Sequence, residues 1–293
     1  MHESATASHV LDFLARRLWS TTGRRVDLAG EHRWLDAPTT TAPTVADGWV
    51  TDAASRWGAA LVEERDTGLI ADLSVFDRPP GSTGRDDLGF SAAALQPAIR
   101  DFYQRTAGWR VEVWTEWRPP YGIGGSLISA LYGRRVHQLA LPVRPLEVSR
   151  GMDSRVVRFV GADGASLGSA WLRTLRRTGE FVFSGLYRPI DLPGYAAPML
   201  NVNFPLQHQN LQAYLRPETQ PDGSLVLHSG AGRFGDPGTY ILITDRGPTV
   251  VRVPLHERFT CWTDEEGVLR TDHELKLGRG TALRLHYKLE PRR

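Results

Sequence analysis

The feature that most constrains the fold is a series of short segments that alternate apolar and polar residues and are separated by turn sequences. Residues 200–206, for example, place leucine, valine and phenylalanine at even positions and asparagine at two odd ones. Such alternation puts one apolar face on a β-strand. Residues 221–223 read Pro-Asp-Gly between two such segments, which predicts a hairpin because Asp-Gly tolerates positive φ. These short spacings favour antiparallel pairing, since a parallel return needs a longer crossover.

About nine strands are predicted in all, and a sheet of that size normally curls into a barrel or a sandwich. Helices are predicted over residues 8–22 and from near Ser91, with Pro97 in the first turn of the second. We therefore expect an α+β protein in which a helical N-terminal part packs on a large, curved, antiparallel, barrel-like sheet. The expected division is a helical or irregular region over residues 1–90 and a ligand-binding domain over residues 91–293.

Charge and cysteine content exclude several classes of protein. The chain has 35 Lys and Arg against 33 Asp and Glu, a net charge of +2 that argues against a nucleic-acid partner. Its single cysteine, Cys261, excludes an intrachain disulfide framework and a cysteine-rich metal site. No stretch approaches the roughly 18 apolar residues of a membrane helix, and no signal-peptide core is present near the start. We expect a cytoplasmic protein without a membrane span.

The sequence contains no convincing motif for nucleophilic catalysis, cofactor binding or metal binding. Residues 164–168 match G-x-S-x-G, but the nucleophile elbow needs a turn between strand and helix, and a strand-like segment follows here. The nine histidines show no H-E-x-x-H spacing. We therefore predict no cofactor and no metal.

Three residues are candidates for catalysis. His273 lies on the apolar face of a predicted strand, where a histidine whose charged form is disfavoured can act as a base near neutral pH. Tyr240 follows the glycine-rich segment 232–238, in which Arg233 is placed to stabilise oxygen charge. The alternatives are a hydrogen-bonded core histidine and a purely structural loop in which Asp236 caps its own turn.

Aromatic residues on the apolar faces are the candidates for ligand binding, namely Trp117, Phe183, Tyr187 and Tyr287. A mostly apolar interior with a few polar side-chain groups is typical of a small-molecule pocket. The alternative is that the same side chains fill the barrel, as they do in small barrels.

Four stretches carry a resemblance to a known group of proteins: residues 95–103, 109–118, 232–240 and 269–273. They resemble uncharacterised bacterial β-rich domains of unknown function. The layout is also similar to that of β-rich domains appended to saccharopine-dehydrogenase-like proteins. The resemblance extends over residues 95–290. These groups have no established activity, so no catalytic residue is transferred.

Together these observations predict a protein that encloses an apolar small molecule, such as a polyketide or a lipid-like chain. One hypothesis is a cofactor-independent cyclase or isomerase of secondary metabolism, in which confinement holds the reacting atoms in one geometry. His273 and Tyr240 would then exchange protons, and Arg233 would stabilise oxygen charge. A second hypothesis is a non-catalytic carrier or sensor of the same ligand, and a third is a partner-binding protein with a filled barrel. A homodimer is left open.

Overall fold

The structure of the protein is a computed structural model that describes residues 23–42, 46–82, 87–117, 151–245, 247–278 and 280–292, without the side chains of residues 115, 117 and 182. The predicted helix over residues 8–22 lies outside these residues. The strands are β1 (Arg24–Arg25), β2 (Ala60–Val62), β3 (Trp109–Trp117), β4 (Met152–Val160), β5 (Ser166–Leu175), β6 (Phe181–Ile190), β7 (Met199–Leu206), β8 (Gln209–Thr219), β9 (Leu225–His228), β10 (Thr239–Ile243), β11 (Thr249–Val253), β12 (Leu255–Thr263), β13 (Leu269–Leu277) and β14 (Gly280–Pro291). The α-helices among the described residues are α1 (Gly48–Trp57) and α2 (Pro97–Gln104).

All fourteen strands belong to one sheet, whose order is β2-β4-β5-β6-β7-β8-β9-β12-β13-β14-β3. Every pairing in it is antiparallel, as the short connections predict. The sheet branches at β8, because the first half of one β8 edge pairs with β10 and the second half with β9. Strands β11 and β1 extend the β10 branch.

The expected barrel with a helical N-terminal part is wrong. The sheet is not closed, since β3 and β4 approach each other without pairing in the described residues. Arg292 spans this space instead: its backbone N–H donates to Gly108 O at 2.7 Å and its Nη2 to Ser154 O at 3.2 Å. Residues 23–62 contribute one ten-residue helix, but also β1 and β2, which belong to the same sheet.

The sheet curves around one apolar core and is covered on its other face. Strand β5 shows the division, because Trp171 and Leu175 belong to the core on the concave face. Ala170 and Leu172, at the alternate positions, pack on the convex face against α1, in which Trp49 is buried. Both faces of this part of the sheet are therefore buried from solvent.

A segment over residues 34–42, which begins within a 3₁₀ turn (Arg33–Leu35), is held on the convex face by side chains of β8. Gln212 Nε2 donates to Leu35 O at 2.8 Å, and Asn210 Nδ2 donates to Pro38 O at 2.5 Å. The hydroxyl of Tyr214 donates to Trp34 O at 2.6 Å. Backbone carbonyls that a loop would normally expose to water are satisfied here by amide and phenol donors. These hydrogen bonds explain why the segment is buried in part.

Helix α2 covers one end of the concave core. Pro97 stands in its first turn, as predicted, and Phe102 and Tyr103 are buried against the sheet. The chain at Gly68 packs directly on the C-terminal end of this helix, where a Cβ atom would lie 2.2 Å from the carbonyl carbon of Gln104. Only glycine permits so close an approach of two backbones.

The segment over the convex face generates a first prediction. Tyr214→Phe removes the hydroxyl that donates to the Trp34 carbonyl and leaves a buried acceptor unsatisfied, so we expect a loss of about 1–3 kcal/mol in the free energy of unfolding. Denaturant unfolding followed by tryptophan fluorescence measures it. The matched control is Tyr287→Phe, whose hydroxyl has no hydrogen bond within the described residues and should cost little. Equal losses in the two variants would contradict the account.

Candidate functional site

A cavity of about 90 Å³ lies on the concave face of the sheet. Strands β5–β9 and β12–β14 line it, and α2 with the loop before it supplies one end. Its apolar lining residues are Leu69, Phe102, Trp171, Phe183, Leu200, Val202, Phe204, Ala213, Leu215, Leu227, Phe259, Leu275, Leu283, Leu285 and Leu289. Its polar lining residues are Tyr103, Arg173, Tyr187, Glu257, Thr271, His273 and Tyr287.

The volume of the cavity restricts what it can hold without rearrangement. A single water molecule needs on the order of 10–15 Å³, and an engineered apolar cavity of about 150 Å³ binds benzene. Most sites for drug-sized ligands are larger, about 300–1,000 Å³. The cavity is smaller than the one that binds benzene, so it holds only a compact group without rearrangement, and an aromatic ring or a longer molecule requires lining side chains to rotate.

Arg173 occupies a core position of β5. Strand alternation puts it on the same face as Trp171 and Leu175, and its side chain points into the concave core with 3% of the residue exposed. The guanidinium carbon lies 4.4 Å from the ring centroid of Trp171 and 4.2 Å from that of Phe183. Both rings therefore hold the cation by cation–π contacts.

The guanidinium of Arg173 has no acceptor among the described residues. Its Nε and Nη1 atoms are buried without a hydrogen-bond partner, and no carboxylate pairs with it there. Burial lowers the pKa of Arg173, because desolvation disfavours the charged form. A buried, unpaired charge costs several kcal/mol in a folded protein. A buried guanidinium without an acceptor is suited to bind an anion, which would supply the missing partner.

The carboxylate of the cavity is already engaged. Glu257 Oε2 lies 3.0 Å from His273 Nε2, and both side chains are mostly buried. The imidazole also stacks on Phe259, with ring centroids 3.7 Å apart. The Nδ1 atom of His273 is buried and has no partner among the described residues. A carboxylate on one nitrogen orients an imidazole and fixes its tautomer, which is the arrangement that proton-transfer sites use.

Two phenols complete the polar lining. Neither Tyr187 nor Tyr287 makes a hydrogen bond with any residue that the structure describes, and both lie close enough to Arg173 to influence its pKa. Burial raises the pKa of Tyr287 to about 12 and raises the pKa of Tyr187 as well, although Arg173 opposes both shifts. Both hydroxyls therefore stay protonated at neutral pH and are available as donors.

Four of the residues predicted from the sequence meet in this cavity: Phe183, Tyr187, His273 and Tyr287. The predicted catalytic set does not assemble around them. Tyr240 lies on the convex face, in the cluster of Trp34, and its hydroxyl donates to Asp236 O at 2.6 Å. Arg233 is exposed on the loop that precedes β10. Neither residue lies near the imidazole of His273 in the cavity.

Two polar lining residues, Arg173 and Glu257, are not among the residues predicted from the sequence, whereas Trp117 is a predicted ligand-binding residue. Trp117 ends β3, opposite Leu283 in β14, and its side chain lies outside the described residues. Arg173 had a usable signal, since it alternates with Trp171 in a segment already predicted to be a strand.

Comparisons with known proteins leave the site to be interpreted from its geometry. No protein-family model, no curated protein and no solved structure matches the chain. In the parts that the structure describes, no helix has the length and apolar character needed to cross a membrane.

Two arginine variants test the state of the guanidinium. Arg173→Met replaces an unpaired buried cation by an apolar side chain, so we expect the ligand-free protein to gain about 1–3 kcal/mol in the free energy of unfolding. The matched control is Arg188→Met on the convex face. Arg188 also has its pKa lowered by burial, but its Nη2 donates to Asp36 O, so the substitution should destabilise the protein. Denaturant unfolding measures the stability of the two variants. A destabilised Arg173→Met would show that the contacts of Arg173 with Trp171 and Phe183 stabilise the fold, which would contradict the account.

The phenols generate a prediction for alkaline pH. A raised pKa in the folded state means that stability is unaffected below the unfolded pKa of about 10 and falls as pH rises towards the folded value. Since the pKa of Tyr287 is about 12, the wild-type protein should lose stability between about pH 10 and 12. Tyr287→Phe should lose less over the same interval. Denaturant titrations at about pH 8, 10 and 11 measure the difference, and parallel curves would refute the assignment.

Proposed function

We propose that the protein binds a compact small molecule with an apolar body in the concave-face cavity. The observation that carries this proposal is an unfilled, mostly apolar cavity on whose wall a few polar groups converge. Such composition is typical of ligand sites. No motif of the sequence points to a competing site.

The energetic cost of the cavity supports the proposal. Protein cores are packed to the density of organic crystals, with few voids larger than a water molecule. Volume left in an enclosed core costs roughly 24 cal/mol per Å³, which sets an upper bound of about 2 kcal/mol on the cost of this partly open cavity of about 90 Å³. Larger side chains at Ala213 or Val202 would recover much of this energy, and the sequence has not used them.

The size of the cavity restricts the range of ligands that was predicted from the sequence. A polyketide or a lipid-like chain is larger than the described cavity, so the proposal favours a shorter molecule or one compact end of a longer one. A carrier or a sensor needs only a cavity that binds the ligand, without catalytic groups.

A second candidate function rests on the Glu257–His273 pair. An imidazole oriented by a carboxylate on the wall of an apolar cavity is suited to abstract a proton from a bound ligand, as in a cofactor-independent isomerase. The proton would move to His273, while Glu257 would stabilise the imidazolium. Tyr240 and Arg233 have no part in this version. Exchange of carbon-bound hydrogen of a bound ligand with D₂O, lost in His273→Gln, would distinguish this candidate from a carrier.

Binding of a small neutral molecule tests the proposal directly. Toluene should raise the Tm of the wild-type protein by mass action, since it binds only the folded state. Ala213→Leu, which fills the cavity, should abolish this shift. Ala282→Leu is the matched control, because Ala282 lies in the same core but not in the cavity lining. If the Tm of the wild-type protein is unchanged by saturating toluene and by each of the carboxylate and amide probes named below, the proposal is wrong.

A further inference from the structure

We propose that the ligand of this cavity is an anion, a carboxylate on a compact apolar body, and that Arg173 binds its charge. This inference rests on the proposed function, because it names the class of molecule for the same cavity. The juxtaposition that carries it is a buried guanidinium without an acceptor among the described residues, beside two phenols that also lack one.

The guanidinium of Arg173 is held in place as a receptor needs. Its position against the rings of Trp171 and Phe183, at 4.4 and 4.2 Å from their centroids, fixes the planar group without using its N–H donors. Two of its nitrogens are buried and unpaired. Because the donors are oriented before binding, little side-chain entropy is lost when an anion arrives.

The carboxylate of the cavity contacts His273 and does not pair with Arg173. Glu257 is the only carboxylate among the lining residues, and His273 engages it at 3.0 Å. Arg173 therefore keeps its positive charge without a counter-ion within the described part of the chain. The hydroxyls of Tyr187 and Tyr287, which stay neutral, can donate to a bound oxygen without adding charge.

The shape of the donor set and the lining indicate the class of anion. A guanidinium presents two parallel N–H groups that match the two oxygens of a carboxylate. Most of the remaining wall is leucine, valine, phenylalanine and alanine, and the carboxylate of Glu257 is already hydrogen-bonded to His273, so the wall favours an apolar body over a second charged group. A free inorganic anion would leave this apolar wall uncovered, whereas a carboxylate with an alkyl or aryl body covers it.

Matched pairs of a carboxylate and its neutral amide test the inference. The probes are benzoate with benzamide and isobutyrate with isobutyramide, titrated by calorimetry into the full chain at about pH 7.5, where the acids are ionised. We expect the carboxylate of each pair to bind about tenfold or more tightly than the amide, since a charge-assisted hydrogen bond replaces a neutral one. In Arg173→Met this preference should disappear while the amide still binds. Arg188→Met should retain it, and Tyr287→Phe should reduce it a few-fold.

The outcomes separate the inference from the proposed function. If the amides bind as tightly as the carboxylates, or if Arg173→Met keeps the preference for carboxylate, Arg173 is not the anion receptor and the inference is wrong. If toluene binds but no carboxylate does, the cavity is a neutral apolar site, so the inference fails and the proposed function stands. If neither toluene nor any of the probes binds, both fail. Circular dichroism and Tm of each variant confirm that it is folded.

Discussion

Burial of both faces of a curved antiparallel sheet is the constraint on which the rest of the structure depends. Antiparallel sheets commonly leave one face to solvent, yet every residue of β7 and β10 is buried. The concave face encloses the main core, and the convex face is covered by α1 and by residues 34–42. The covered convex face carries its polar groups as amides and phenols that bind the covering chain. On the concave face the described residues leave the cavity, which is lined by strands, by α2 and by Leu69.

The cavity combines two destabilising features, which selection for stability alone would remove. One is unfilled volume, and the other is an arginine whose charge is buried without a counter-ion among the described residues. Natural proteins keep such defects mainly at functional sites, where a ligand supplies the missing contacts. An anion with an apolar body would correct both at once, because its carboxylate would pair with Arg173 and its body would fill the space. Glu257 and His273 already hydrogen-bond to each other, so this pair does not require a ligand, and it contributes a proton-transfer group only if the ligand offers a proton.

The sequence predicted local structure well and long-range closure poorly. The hairpin of β8 and β9 turns at Gly223 with φ of 79°, as the Asp-Gly pair indicated. Closure of the barrel depends on whether β3 meets β4, which no local pattern encodes. Tyr240 was assigned to the interior because alternation cannot tell two buried faces apart. Arg173 was missed because a charged residue in a strand normally marks the solvent face, and only the coverage of both faces shows otherwise.

The account depends most directly on where a carboxylate binds. A crystal structure of the protein grown with benzoate answers this question without relying on affinities. The account predicts benzoate in the concave-face cavity, with its oxygens about 2.7–2.9 Å from the guanidinium nitrogens of Arg173 and its ring against Leu283 and Phe204. A structure in which Arg173 is paired with a carboxylate of the chain itself, and the cavity is closed by side chains, would contradict it.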